Sequence, residues 1–111
     1  YLSRDATAAT LRQVAAPAPG STLALTFLLP LELADPEIRP GLAMAETVAR
    51  ASGTPLLSFF TPPEMVALAR EAGFRDARHV SAADLTRRYF AARTDGLRPP
   101  NNAEELLVAT A

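Results

Sequence analysis

The sequence predicts an α/β layered domain whose sheet extends beyond the strands it contains. Three observations lead there. Helix-type and strand-type segments alternate along the chain, the pattern of layered α/β folds. Residues 21–29 become apolar on both alternating faces in their second half, as a strand covered on two sides does. Finally, 49% of the 111 residues are apolar and the formal net charge is −1, which excludes a disordered chain and suits one domain.

Each element follows from local chemistry. Ser3 stands as a capping hydroxyl before residues 4–16, where Leu11, Val14 and Ala15 recur at helical spacing until Pro17 forbids continuation. Pro17, Ala18, Pro19 and Gly20 form a turn, and residues 21–29 follow as a central strand. Asp35, Pro36 and Glu37 then place a capping carboxylate, a first-turn proline and a second acid in order. A second helix runs from there through Ile38, Leu42, Ala45 and Ala49 to Gly53, and residues 56–60 are a connector. Thr61-Pro62-Pro63-Glu64 is a capping box that opens a third helix, with Met65, Leu68, Ala69 and Ala72 on one face and Gly73 as its left-handed stop. Residues 74–80 are predicted as a strand. Ser81 and Asp84 repeat the capping logic for a fourth helix through Leu85, Tyr89 and Ala92 to Gly96, with Arg93 meeting the negative end of its dipole. After a loop over 99–102, residues 105–109 form a last apolar strand.

Composition removes several functions. The basic residues are all Arg, 11 of them against 12 acids, and the pI is near 5.8, so the surface lacks the basic footprint that binding nucleic acid requires. No Cys is present, which excludes disulfides, thiolate metal sites and thiol nucleophiles and points to the cytoplasm. The longest apolar run, residues 23–33, contains Pro30 and Glu32 and is about half the roughly 20 residues that cross a bilayer. Ser58 lacks a nucleophile-elbow turn, and the lone His79 has no evident acid partner or second ligand, so neither a serine hydrolase nor a metal centre is expected. A helix-turn-helix regulator does not fit either, because the stretch between residues 72 and 82 exceeds the short turn and reads as a strand. The first residue is Tyr1 and the sheet wants more strands, so the chain is expected to be part of something longer. The 23 Ala residues and Arg-only basicity suggest a GC-rich, bacterial coding sequence.

Three motifs carry a resemblance. Tyr1-Leu2-Ser3-Arg4-Asp5-Ala6, Leu57-Ser58-Phe59-Phe60 and the run from Arg88-Tyr89-Phe90 through Arg93-Thr94-Asp95-Gly96 to Pro99 resemble, in register, the bacterial branch of the leucine carboxyl methyltransferase family. The helix ending in Glu71-Ala72-Gly73-Phe74 is similar to the C-terminal half of class I S-adenosylmethionine-dependent methyltransferases. The resemblance implies the C-terminal half of a Rossmann-like sheet of seven strands, six parallel and the last antiparallel. Residues 21–29, 74–80 and 105–109 would be its last three strands, with flanking helices. It implies an O-methyltransferase whose cofactor, S-adenosylmethionine, is held mainly by a glycine-rich loop and an acidic residue preceding Tyr1, so that this segment alone is inactive. The acceptor would be a small molecule or a carboxylate, which an arginine fork can orient.

By the same resemblance Tyr1 sits at the carboxyl-end rim of the sheet as a substrate-pocket residue, and Glu32 follows the central strand where substrate contacts occur. Tyr89 and Arg93 would close over an anionic acceptor, against a structural reading in which Tyr89 fills core and Arg93 only complements a helix end. The competing function is a non-catalytic interaction or dimerisation module that uses an exposed sheet edge. Either way a homo-oligomer through the exposed sheet side is expected, with no nucleic-acid or membrane partner.

Overall fold

A computed structural model describes residues 1–16, 19–99 and 102–111. The expected turn at 17–20 and loop at 99–102 therefore lie partly outside the described residues. The first helix, α1 (Arg4–Ala15), is capped as expected by the Ser3 hydroxyl, which accepts from the Ala6 amide, and it buries Leu11. Val14, expected on the same stripe, is exposed. Strand β1 (Thr22–Leu28) is followed by a single 3₁₀ turn, Leu31–Leu33, and helix α2 (Arg39–Ala51).

The second helix begins at Arg39, four residues after the predicted cap Asp35. Asp35 does not cap it, because its carboxylate accepts the Asn102 amide from the loop before the last strand (3.1 Å). Pro40 supplies the first-turn proline instead, and Gly53 at φ +74° ends the helix in a left-handed turn.

Helix α3 (Pro62–Glu71) forms as its punctuation dictates. Thr61 and Glu64 exchange both bonds of the capping box. At the other end the Gly73 amide donates to Arg70 and the Phe74 amide to Ala69, a Schellman closure that needs the φ of +111° found at Gly73. That closure takes Phe74 and Arg75 out of the predicted strand, so β2 is Asp76–Val80 and Phe74 is instead buried against the helix end.

The last helix is corrected most. Instead of running to Gly96, α4 (Ala82–Leu85) is one turn, continued by a π-helical turn over Thr86–Phe90. The Ala91 amide reaches back to the Thr86 carbonyl, which widens the coil. The Leu85, Tyr89 and Ala92 periodicity suggested a buried face, yet Tyr89 is 66% exposed and Ala92 is exposed as well. The final strand, β3 (Glu104–Thr110), lies between the other two, in the order β1-β3-β2, and is antiparallel to both. Thus β1 and β2 run parallel to each other, and β1, predicted as central, is an edge strand.

One face of the sheet holds the core. Leu107 pairs with Leu25 and His79, and Ala109 pairs with Leu23 and Ala77. Against this face pack Leu11 from α1 and Met65 and Ala69 from α3, with Phe27, Phe60 and Phe74 closing the cluster. Thr22, Ala24 and Thr26 point to the opposite face and are exposed, so the two-sided cover expected for this strand is present on one side only. The molecule is a slab of 41 × 39 × 20 Å.

Candidate functional site

The parallel strands β1 and β2 end at Leu28 and Val80 on either side of β3. In open α/β sheets ligands bind outside the carboxyl ends of the parallel strands, and three clefts lie around these ends. The first, about 270 Å³, is apolar and sits under the 3₁₀ turn and α2, with Leu28, Pro30, Glu32, Leu42, Leu56 and Phe59 among its walls. The second, about 390 Å³, follows the outer side of β1 and includes Tyr1, Thr26, Leu28, Leu56 and Ser58. Leu28 and Leu56 wall both, so the two clefts adjoin. The third, about 380 Å³, has Asp35, Ser81, Thr86, Arg98, Asn102 and Glu105 among its walls.

Local chemistry fixes these walls. Arg39 donates from Nε to the Ala34 carbonyl (2.9 Å) and from Nη2 to the Glu32 carbonyl (2.8 Å), which ties the 3₁₀ turn to the start of α2. Ser58 donates to the Leu2 carbonyl (2.6 Å), and the Phe60 amide donates to Leu28 (2.9 Å). The connector 56–60 is thereby strapped to both the N-terminal residues and the end of β1. Arg4 joins the same corner, with one Nη on the Phe59 carbonyl (2.8 Å) and its guanidinium 4.6 Å from the centre of the Phe60 ring.

Of the four predicted site residues, two line adjoining clefts and two line neither. Tyr1 and Glu32 stand on the adjoining clefts, both exposed. Tyr89 and Arg93 line neither of them. Tyr89 does not fill core, and Arg93 does not complement a helix end: its guanidinium grips Asp95 with both Nε (2.9 Å) and Nη2. That grip, together with the Leu97 amide, holds the Asp95 carboxyl below its usual pKa. In the fourth helix the Ser81 amide and hydroxyl lower Asp84 in the same way, with Arg87 adding to the effect.

The sequence reading missed the acid partner of His79. Glu105 is 4% exposed and its Oε2 meets His79 Nε2, while the Phe27 ring lies 6.2 Å from the imidazole. A signal existed: Glu105 shares the two-residue period of Leu107 and Ala109, and an acid on a core period needs a partner. No family model, curated protein or solved structure matches the chain. Among the described residues no group of three or more His, Asp or Glu is placed to hold a metal, and no helix is long and apolar enough to cross a membrane.

Proposed function

We propose that this chain forms the substrate-side part of an S-adenosylmethionine-dependent O-methyltransferase. The observation that carries the reading is strand direction: β1 and β2 are parallel and the last strand is antiparallel to both, the relation that the resemblance to the leucine carboxyl methyltransferase family implies for the last three strands. The clefts beyond the carboxyl ends of β1 and β2 support it, since that is where an acceptor would lie.

The residues present do not fit the cofactor itself. Its charged groups call for a glycine-rich turn from a strand into a helix. Here the chain leaves β1 through Pro30 and β2 through Ser81, and the glycines with positive φ stand at positions 20, 53, 73 and 96, none of them at those junctions. The contribution of this chain is therefore the acceptor side: Tyr1 and Glu32 at the rim, and an apolar wall of Leu28, Leu42, Leu56 and Phe59 for the body of the substrate. A carboxylate acceptor oriented by Arg93 is the weaker form of the proposal, because Asp95 already occupies that guanidinium.

Two measurements test it. The coding region upstream of Tyr1 is expected to encode a glycine-rich loop followed by an acidic residue, and the protein it encodes is expected to transfer labelled methyl from S-adenosylmethionine to a hydroxyl or carboxylate. The chain alone is expected to bind the cofactor no tighter than about 100 μM by calorimetry, about −5.5 kcal/mol. Unrelated upstream sequence, or tight binding by the chain alone, overturns the assignment.

A further inference from the structure

From the chemistry of the cleft under the 3₁₀ turn and α2 we infer that the acceptor is a neutral alcohol on a hydrocarbon body, about ten heavy atoms in all, and that carboxylates are rejected there. The assignment rests on the acceptor-side role proposed for these clefts and names the acceptor they take. The walls of this cleft come from residues 28–59 and Ala103. In the proposed parent a strand preceding Tyr1 would pair along the outer edge of β1, on the side of the second cleft. The form of the first cleft is set by the connection from β1 through α2 to the strapped connector.

Size sets the body. Leu28, Leu42, Leu56 and Phe59 stand around a space of about 270 Å³. An apolar cavity of about 150 Å³ takes benzene, so this space suits about ten heavy atoms. It lies just below the roughly 300 Å³ at which sites for drug-sized ligands begin. The acceptor is small, and its body is apolar.

Charge sets the head group. Among the described residues the ionisable walls are Glu32 and Glu46, both acids. Glu46 is engaged by Arg50 (2.9 Å). The Glu32 side chain is exposed at the cleft, and its carboxylate has no hydrogen bond or ion pair among the described residues. Arg39 does not line the cleft, and it commits Nε and Nη2 to the Ala34 and Glu32 carbonyls. A carboxylate seated here would lose hydration, meet two like charges and find no wall cation to offset them. A hydroxyl carries no charge and brings one donor, which the Glu32 carboxylate can accept. The walls therefore select a hydroxyl over a carboxylate.

Matched probes separate the head groups without any cofactor. In NMR titrations of the chain, n-octanol should shift the methyl signals of Leu28, Leu42 and Leu56 and bind about tenfold tighter than n-octanoate. The shorter n-butanol should bind about tenfold weaker than n-octanol. Any apolar surface prefers an alcohol to a carboxylate, so Glu32 carries the decisive comparison. Glu32→Gln should lower the preference for octanol about threefold, and Glu32→Arg should bring octanoate level with octanol or ahead of it. Glu37→Arg, at an exposed acid outside the walls, makes the same change in net charge and should leave the preference as it is. Equal binding of octanol and octanoate by the wild type, a preference that Glu32→Arg does not move or that Glu37→Arg moves as far, or no shift at the three leucines would each overturn the inference. A missing glycine-rich loop upstream would overturn the methyltransferase assignment and leave these ratios unchanged, so the two failures are distinguishable.

Discussion

The two helices α3 and α2 have nearly the same length and the same kind of glycine stop, yet they stand in different mechanical positions. Helix α3 places Met65 and Ala69 in the core, with Leu68 and Ala72 packed around them. Helix α2 buries none of its residues, and Met44 and Val48 are exposed. Both stop at a glycine, but only α3 also has its start fixed by a side-chain cap. Only α3 contributes substantially to global stability, because burial rather than hydrogen bonding within the helix supplies the net driving force. The first strand repeats the contrast, with Phe27 buried on one face and Thr22, Ala24 and Thr26 exposed on the other. In this chain a clear helix signature says where a helix is and not how much the fold depends on it.

The largest expected effect lies on the packed side. Leu107→Ala, at a fully buried position in the middle strand, should cost about 2–5 kcal/mol. Val48→Ala on α2 should stay within about 0.5 kcal/mol. Urea unfolding with fixed slope measures both, and equal losses would erase the distinction between the helices.

Next comes the buried carboxylate. His79→Ala leaves Glu105 without its partner inside the core and should cost about 1–3 kcal/mol. Adding Glu105→Leu to His79→Ala should recover much of that loss, because the unpartnered buried carboxyl is gone. A double variant no better than the single would assign His79 a packing role against Phe27 alone.

Smaller again is the cap of the packed helix. Thr61→Ala removes the hydroxyl that accepts from the Glu64 amide and should cost about 1 kcal/mol. Its pH dependence refines the point. The Thr61 amide and hydroxyl, helped by Arg4, hold the Glu64 carboxyl below its ordinary value of 4.5. A carboxylate with a depressed folded pKa stabilises the fold above its unfolded value, and the contribution is lost as pH falls through the folded value. The difference in Tm between the wild type and Glu64→Gln should therefore be present at pH 6 and shrink below pH 4.5. A difference that grows in acid would reverse the sign and assign the effect to another group.

Part of the site was legible and part was not, and the division is physical. Tyr1 and Glu32 were placed by motif resemblance, and both reached adjoining clefts because the Ser58 and Phe60 straps fasten the connector beside β1. Tyr89 and Arg93 rested on the same resemblance, and on a fourth helix running unbroken to Gly96 that would carry both. The π-helical turn at Thr86–Phe90 changed their direction, and Asp95, two residues away, captured the guanidinium. The His79 to Glu105 contact joins residues 26 apart in sequence, and no local spacing encodes it.

By itself, the sequence determined the helix starts at Ser3, Thr61 and Ser81, the glycine stops at Gly53 and Gly73, and the alternation of segments that makes the fold α/β. Those features depend on hydrogen bonds and dihedral preferences within about four residues, which side chains specify directly. Tertiary structure alone decided that the last strand enters between the first two, that β1 lies at an edge, and that Asp35 serves Asn102 instead of a helix. Those outcomes depend on which distant surfaces bury one another, and hydrophobic burial is non-directional, so the same apolar pattern fits a central or an edge strand until the partners are in place.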